Sequence, residues 1–503
     1  MMRCLAMLVV MSCFALGDRC SAQPGPPRKP RPSGPLLDRY GSPRYQPVAV
    51  DCAKNLGLIK NLMGLQGGPR PDVPELTPDL SDPYRAIGVN MVRLPQDNRD
   101  VLFLGHVFPD DRADPLDPAA YQFDEFDRYA RAVRAIDAEF LWEAQYLIGR
   151  KGLVRQDAVR GRQAAGIPHA KVVPRGEINQ WATVCVQVLR HLNDGWGGGL
   201  ELGVTTVEFI NEPFMGPEDL VYDRDEPERV WECYAAFARA IKAYDPKIKL
   251  FAPSLTDIDM RYARVDLLRS FFDYIVQHDV PLDYFTWHAY LREPSQYAEL
   301  AEKIGKVLDD YGARLGHVRV ANTEWDCRYP PPVHAAHNTT TLIYFQDASR
   351  MDYAIRYRGD ARHDRIHSHR SASLFGARGE PSLTYYAYLA LACQRRSTPI
   401  RVAATGSDHR AFGVLAGRAE DGSAVSVLVS DMHSAYRGFE LRVASLPWQA
   451  ADEFTAAAYV VDRNHQLEKV WQTARRGRTF LHRETRHAPY VMWIVLRRAK
   501  EAP

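Results

Sequence analysis

The sequence predicts a (β/α)8 TIM barrel followed by a C-terminal all-β sandwich, and three observations carry that expectation. Between residues 56 and 393, short apolar runs alternate with amphipathic helical patterns eight times, the even count that a (β/α)8 barrel with enlarged loops requires. From about residue 400 the helical pattern stops and alternating strands take over, as in FGVLAGRA, AVSVLVS, FELRVAS and YVMWIVLRR. Third, VTTVEFINEPFM at residues 204–215 reads as a strand buried on both faces that stops at Pro213. It sets a carboxylate, Glu212, behind an amide, Asn211, at the carboxyl end of a core strand, where parallel α/β sheets bind ligands.

Taken in order, residues 1–22 read as a secretory signal: one positive charge, an apolar run too short for a membrane span, then the small pair Ser21 and Ala22. The expected location is therefore secreted or periplasmic. Residues 23–46 are proline-rich and basic, an extended linker. The barrel is expected over residues 47–398, with strands at 56–63, 88–94, 139–142, 204–210, 248–252, 284–287, 318–321 and 351–357. Helical stripes lie between them. Phe126, Tyr129, Val133 and Ile136 share one face, as do Trp181, Cys185, Val188 and Leu192 before the glycine-rich stop at 195–199. Further stripes follow at Val230 to Ile241, Leu267 to Ile275, Tyr297 to Tyr311, 334–348 and 383–393. Residues 399–503 form the β-sandwich, which has Val48 to Val50 available as an extra strand.

Composition narrows the function. The 503 residues carry 64 basic and 62 acidic side chains for a net charge of +2, so no long-range field favours nucleic acid or an anionic membrane. No stretch outside the leader is apolar for long enough to insert stably in a bilayer. Beyond the leader the cysteines stand at 52, 185, 233, 327 and 393 with no CxxC pair, neither a disulfide framework nor a zinc site. Cys185 and Cys233 fall on the apolar faces of successive helices and read as buried thiols, a bond between them being the alternative. His363, His367 and His369 have metal-like spacing but lie in a polar loop without a carboxylate motif, and no metal or organic cofactor is expected.

A second carboxylate completes the pattern. VRVANTEWD places Glu324 at the end of strand seven as Glu212 ends strand four, so both are expected in one mouth. Two carboxyl groups flanking a cavity suggest retaining glycoside hydrolysis, one protonating the leaving oxygen and the other attacking the anomeric carbon. Trp142, Trp287 and above all Trp325 stand near strand ends as candidate surfaces for stacking a sugar.

INEP followed three units later by TEW resembles the signature of glycoside hydrolase clan A. With GGPRP, YQFDEFD, DPKIKLFAPS and WHAY, the chain most resembles family 39, which includes β-xylosidases and α-L-iduronidases, over most of residues 55–395. The resemblance implies Glu212 as general acid/base, Glu324 as nucleophile and Asn211 on the sugar 2-hydroxyl. It implies Tyr290 as a donor to Glu324 and His288 as a contact to sugar or acid. Arg93 is either a further pocket residue or an ion pair that holds the barrel mouth. The chain departs from the family with Leu94 and Pro95 behind Arg93 and with Asp326 after the TEW, both expected in the sugar pocket. The substrate is expected to be an oligo- or polysaccharide, with β-xylosidase-like exo-activity leading. The rivals are a uronic-acid glycosidase using Arg93, Arg292, Arg328 or Arg356, an endo-acting exopolysaccharide hydrolase, and a non-catalytic carbohydrate-binding protein, which would not need both carboxylates. Oligomeric state is not legible.

Overall fold

The computed structural model describes residues 44–69, 79–94, 102–144, 172–215, 222–262, 265–359, 373–376 and 378–499. The expected signal peptide, most of the linker and the histidine triplet lie outside them. Strand β1 (Gln46–Leu58) precedes the barrel, which is closed by eight parallel strands: β2 (Gly64–Gln66), β3 (Met91–Leu94), β4 (Glu139–Glu143), β5 (Thr206–Glu208), β6 (Lys249–Thr256), β7 (Tyr284–Ala289), β8 (Arg319–Trp325) and β9 (Met351–Arg356). One main helix follows each: α1 (Ser81–Ile87), α2 (Asp124–Arg134), α3 (Ile178–Asp194), α4 (Glu228–Tyr244), α5 (Leu267–Gln277), α6 (Pro294–Asp310), α7 (Val333–Phe345) and α8 (Leu383–Ser397).

The strand period of two sorts side chains between two cores. Inward, Met91, Leu141, Phe251, Ala321 and Ile355 plug the barrel with Tyr284 and Tyr353, Phe251 stacking on Tyr284 at 4.3 Å. Outward, Trp142, Val207, Trp287 and Trp325 join the helices' apolar stripes in a continuous buried layer. Nearer the carboxyl ends of the strands the inward positions turn polar, and that change of texture is the site.

The first strand corrects the sequence reading. Residues 56–63 are not barrel strand one: Leu56 and Leu58 are exposed at the irregular end of β1, and the strand begins at Gly64. The strand opens on a glycine where the barrel seam passes close over it. A Cβ there would lie 2.7 Å from Ile355 Cγ1 and 3.1 Å from Ile355 Cα, where β2 pairs with β9.

β10 (Ile400–Thr405), β11 (Phe412–Arg418), β12 (Ala424–Asp431), β13 (Gly438–Ala444), β14 (Glu453–Val461), β15 (Gln466–Arg476), β16 (Phe480–Thr485) and β17 (Tyr490–Arg498) build the second domain with β1. The barrel therefore does not begin at residue 47, since β1 sits between β10 and β13, antiparallel to one and parallel to the other. All nine strands form one sheet in the order β15-β14-β17-β12-β11-β10-β1-β13-β16. The sheet curls until its two ends meet: Trp471 of β15 lies 4.4 Å from the His482 ring of β16 and donates to Glu484 at 3.0 Å. The sandwich layers are thus two halves of one sheet, closed on a core that includes Val50, Phe412, Val427, Phe439, Phe454 and Ile494.

The domains share a sealed interface. α7 and α8 pack on β11, β12 and β17, and the apolar core continues through Leu415, Leu428, Val491 and Trp493. Buried polar groups pair across it: Thr340 with Ser430 at 2.9 Å, Ser430 with the Ala336 carbonyl at 2.9 Å, and Gln394 with the Leu415 carbonyl at 2.9 Å.

The seam generates a prediction. Gly64→Ala should lower stability by about 1–3 kcal/mol through overpacking against Ile355, read as a lower denaturant midpoint at unchanged slope. Adding Ile355→Val should recover part of that loss, a coupling that two independent sites would not show.

Candidate active site

Glu212 lies four residues beyond Glu208, the last residue of β5. Its backbone adopts φ of 42°, unusual for a residue with a side chain, and its carbonyl accepts from the Met215 amide at 2.9 Å in a tight turn closed by Pro213. That turn brings the carboxylate over the barrel axis. His288, buried on β7, meets Glu212 Oε1 through Nδ1 at 3.0 Å and Thr323 Oγ1 through Nε2 at 3.1 Å.

Glu324 comes from β8, beyond an irregularity in its pairing with β7. The Tyr290 hydroxyl donates to its Oε1 at 2.7 Å, and the Arg93 guanidinium donates to its Oε2 at 3.2 Å. Burial pushes the Tyr290 phenol well above its usual range and the Glu324 charge adds to this, so it stays a donor at every working pH. One oxygen each of Glu212 and Glu324, with a ring nitrogen of His288, lie within 4.8 Å of one another. Two carboxylates far apart in sequence thus face each other across one small space.

Arg93 lies beneath them with its side chain fully excluded from solvent. Its fork reaches Glu143 at 2.6 Å, Glu208, Glu324 at 3.2 Å and the side-chain oxygen Oδ1 of Asn211 at 2.8 Å. Burial alone would drive the guanidinium toward neutrality, but Glu143, Glu208 and Glu324 overcome this and raise its pKa, so it remains charged. Ser254, held with φ of 59° at the end of β6, donates to Glu208 at 2.9 Å.

The structure brings together Glu212, Glu324, Asn211, His288, Tyr290 and Arg93. Two expected sugar contacts are corrected. Arg93 is buried under the carboxylates as an ion-pair hub and presents nothing to a ligand. Trp325 turns away from the cavity into the helix layer, 5.7 Å from the Tyr297 ring, because it follows the inward Glu324 on a pleated strand. Trp142 beside Phe126 and Trp287 beside Phe345 face outward for the same reason. Asp326 is likewise no pocket residue. It is fully buried against His334 at 2.8 Å and Arg356 at 3.3 Å; burial raises its carboxyl, but the Arg356 guanidinium and the hydrogen bond to the His334 ring outweigh it and hold it below the usual range.

Glu143, Glu208, Ser254 and Thr323 complete the polar layer and escaped the sequence reading. Their signal was present: Glu208 between Val207 and Phe209, and Glu143 between Trp142 and Ala144, are charges inside apolar strands, which require a buried partner. Two described groups offer donor types a metal accepts: Glu212, His288 and Glu324, and separately Asp326, Cys327 and His334. In each, the histidine is already within hydrogen-bonding distance of a carboxylate.

Solved structures share this architecture. A glucosidase from Croceicoccus marinus is 25% identical with a TM-score of 0.72, covering 91% of this chain and 100% of its own. A GH39 enzyme from Xanthomonas axonopodis pv. citri is 14% identical with a TM-score of 0.65, covering 90% of this chain and 97% of its own. A monomeric β-xylosidase from Caulobacter crescentus CB15 is 15% identical with a TM-score of 0.64, covering 90% and 99%. No family model matches the sequence, and no curated protein matches it. Fold and neighbours together place the chain among structures that share the (β/α)8 barrel of these glycoside hydrolases. The closed barrel fused to an all-β domain is an architecture similar to that of the GH39 enzyme and the β-xylosidase.

Two substitutions test the geometry. Tyr290→Phe should cut kcat/KM roughly tenfold or more by removing a charge-assisted hydrogen bond. Because that bond favours the ionised form of Glu324, the acidic limb of the pH–rate profile should move to higher pH. Arg93→Lys keeps the charge but loses the fork, and should cost about 3 kcal/mol of stability, measured by chemical denaturation, with activity falling alongside.

Proposed function

We propose that the protein is a retaining glycoside hydrolase in which Glu212 is the general acid/base and Glu324 the nucleophile. The observation that carries this reading is the approach of their oxygens to within 4.8 Å. Direct attack requires carboxyl groups about 5–5.5 Å apart, whereas inversion needs about 6.5–9.5 Å to admit a water. The surroundings support the division of roles. Glu324 receives a hydrogen bond on each oxygen, from Tyr290 and Arg93, as a group that must be charged requires. Glu212 meets the His288 ring and stands near Asp257, whose carboxyl is raised by burial, with the Glu212 charge contributing. A like charge beside the acid is what a proton donor needs.

In the first step the Glu212 proton passes to the glycosidic oxygen as the carbon–oxygen bond breaks, and Glu324 bonds to the anomeric carbon. In the second, water attacks that carbon, returns a proton to Glu212 and releases Glu324. Asn211, oriented by Arg93, offers its amide to the sugar 2-hydroxyl.

Of the four arginines that could seat a uronate, Arg93 and Arg356 are fully buried and committed to carboxylates, which favours a neutral sugar, while Arg292 and Arg328 are exposed. The lead substrate is a β-xyloside cleaved in exo fashion, with a β-glucoside as first comparator. The leader-like residues 1–22 support action outside the cytoplasm.

Turnover of a panel of aryl xylosides, glucosides and uronides, with the anomer of the first product followed by NMR, tests the reading, and an inverted first product would sink it. Glu324→Ala should lose essentially all activity. Glu212→Ala should fail on poor leaving groups yet regain turnover of an activated substrate in azide, giving a glycosyl azide of retained configuration.

A further inference from the structure

We infer that Thr323 is a positioning residue whose hydroxyl, acting through His288, fixes which oxygen of Glu212 carries the catalytic proton. The inference rests on the assignment of Glu212 as acid/base. Thr323 on β8 and His288 on β7 are both buried, and their chain of contacts is short: Thr323 Oγ1 to His288 Nε2 at 3.1 Å, then His288 Nδ1 to Glu212 Oε1 at 3.0 Å.

A threonine hydroxyl donates or accepts, and an imidazole carrying a single proton has one nitrogen of each kind, so two single-proton arrangements satisfy these distances. In the first, Nε2–H donates to Thr323 and bare Nδ1 faces Glu212. Oε1 must then hold the proton and aim it at the imidazole, away from any glycosidic oxygen. In the second, Thr323 donates to Nε2, Nδ1–H donates to Oε1, and the acidic proton is left on Oε2. Only the second directs the proton at a leaving group. It is also the only one that stays satisfied after that proton has gone, when the carboxylate needs a donor and bare Nδ1 would face a lone pair. The same tautomer therefore serves both halves of the reaction, and water restores the proton to Oε2 with no change at His288. Thr323 supports that tautomer by supplying the donor its bare Nε2 needs. Without its hydroxyl, Nε2 is a buried acceptor beside a methyl group, or becomes a buried N–H with nothing to donate to.

The test uses Thr323→Val, which exchanges hydroxyl for methyl at nearly constant volume, and Thr323→Ser, which keeps the hydroxyl. kcat/KM is measured on aryl glycosides of graded leaving-group acidity, made on the best-accepted sugar. Thr323→Val should lose roughly tenfold on the phenyl glycoside but less than about twofold on the 2,4-dinitrophenyl glycoside, whose departure needs no proton. Thr323→Ser should stay within about twofold of wild type throughout. A loss uniform across the series, no loss, or a serine variant as impaired as the valine one would overturn the inference. Independently of how the Thr323 variants fold, 15N NMR of the wild-type protein, with the His288 signal identified by its absence in His288→Asn, should show the proton on Nδ1. A proton on Nε2 would also overturn it. Absence of azide rescue in Glu212→Ala would instead remove the acid/base assignment beneath it. Rescue with an unchanged leaving-group dependence in Thr323→Val removes the Thr323 inference alone.

Discussion

One buried guanidinium organises the mouth of this barrel. Arg93 reaches across from β3 to carboxylates on β4, β5 and β8, so four strands are tied at their carboxyl ends by a single side chain. A buried ion pair is seldom a net source of stability, because desolvation consumes most of the attraction. What this arrangement gives is position. The amide of Asn211 and one oxygen of Glu324 are both set by the same rigid fork, while Ser254 fixes Glu208 from the other side. Shifting the fork would move the amide and the carboxylate together.

The two facing carboxylates differ in kind of support. Glu324 is met by a cation and a phenol, Glu212 by an imidazole that itself leans on a threonine. The strands holding these groups are stiffened from behind by aromatic rings in the helix layer. Trp325 and Trp287, both packed around Tyr297 and Phe345, work as buttresses to the strands carrying Glu324 and His288. Tyr297 also accepts the Leu291 amide and donates to the Asp326 carbonyl at 2.6 Å, joining the segments that follow β7 and β8.

Much of this was legible in the sequence because it rests on period and punctuation. Glu212 and Glu324 each follow an apolar run that ends abruptly, and eight repeats of one pattern admit few closed folds. The misreadings share a cause. Trp325 was assigned to the cavity by its nearness to Glu324 along the chain, but neighbours on a pleated strand face opposite ways. The first barrel strand falls at Gly64 instead of 56–63 because a glycine signals no strand until its neighbour across the seam, Ile355, is known. Glu143 and Glu208 went unnoticed because their partner lies on another strand, and pairing across a barrel is a property of register that no local window contains.

The β1 strand gives the molecule a topology its domain names conceal. The second domain's sheet receives its seventh strand from upstream of the barrel, so its order is complete only when the last residues of the chain have been made. During synthesis β1 must wait, unpaired, through the whole barrel for β10 and β13, exposing a hydrogen-bonding edge to other nascent chains in the meantime. Trimming the protein after α8 would not liberate a tidy barrel. It would leave that orphan edge attached, and a clean excision has to remove both ends of the polypeptide.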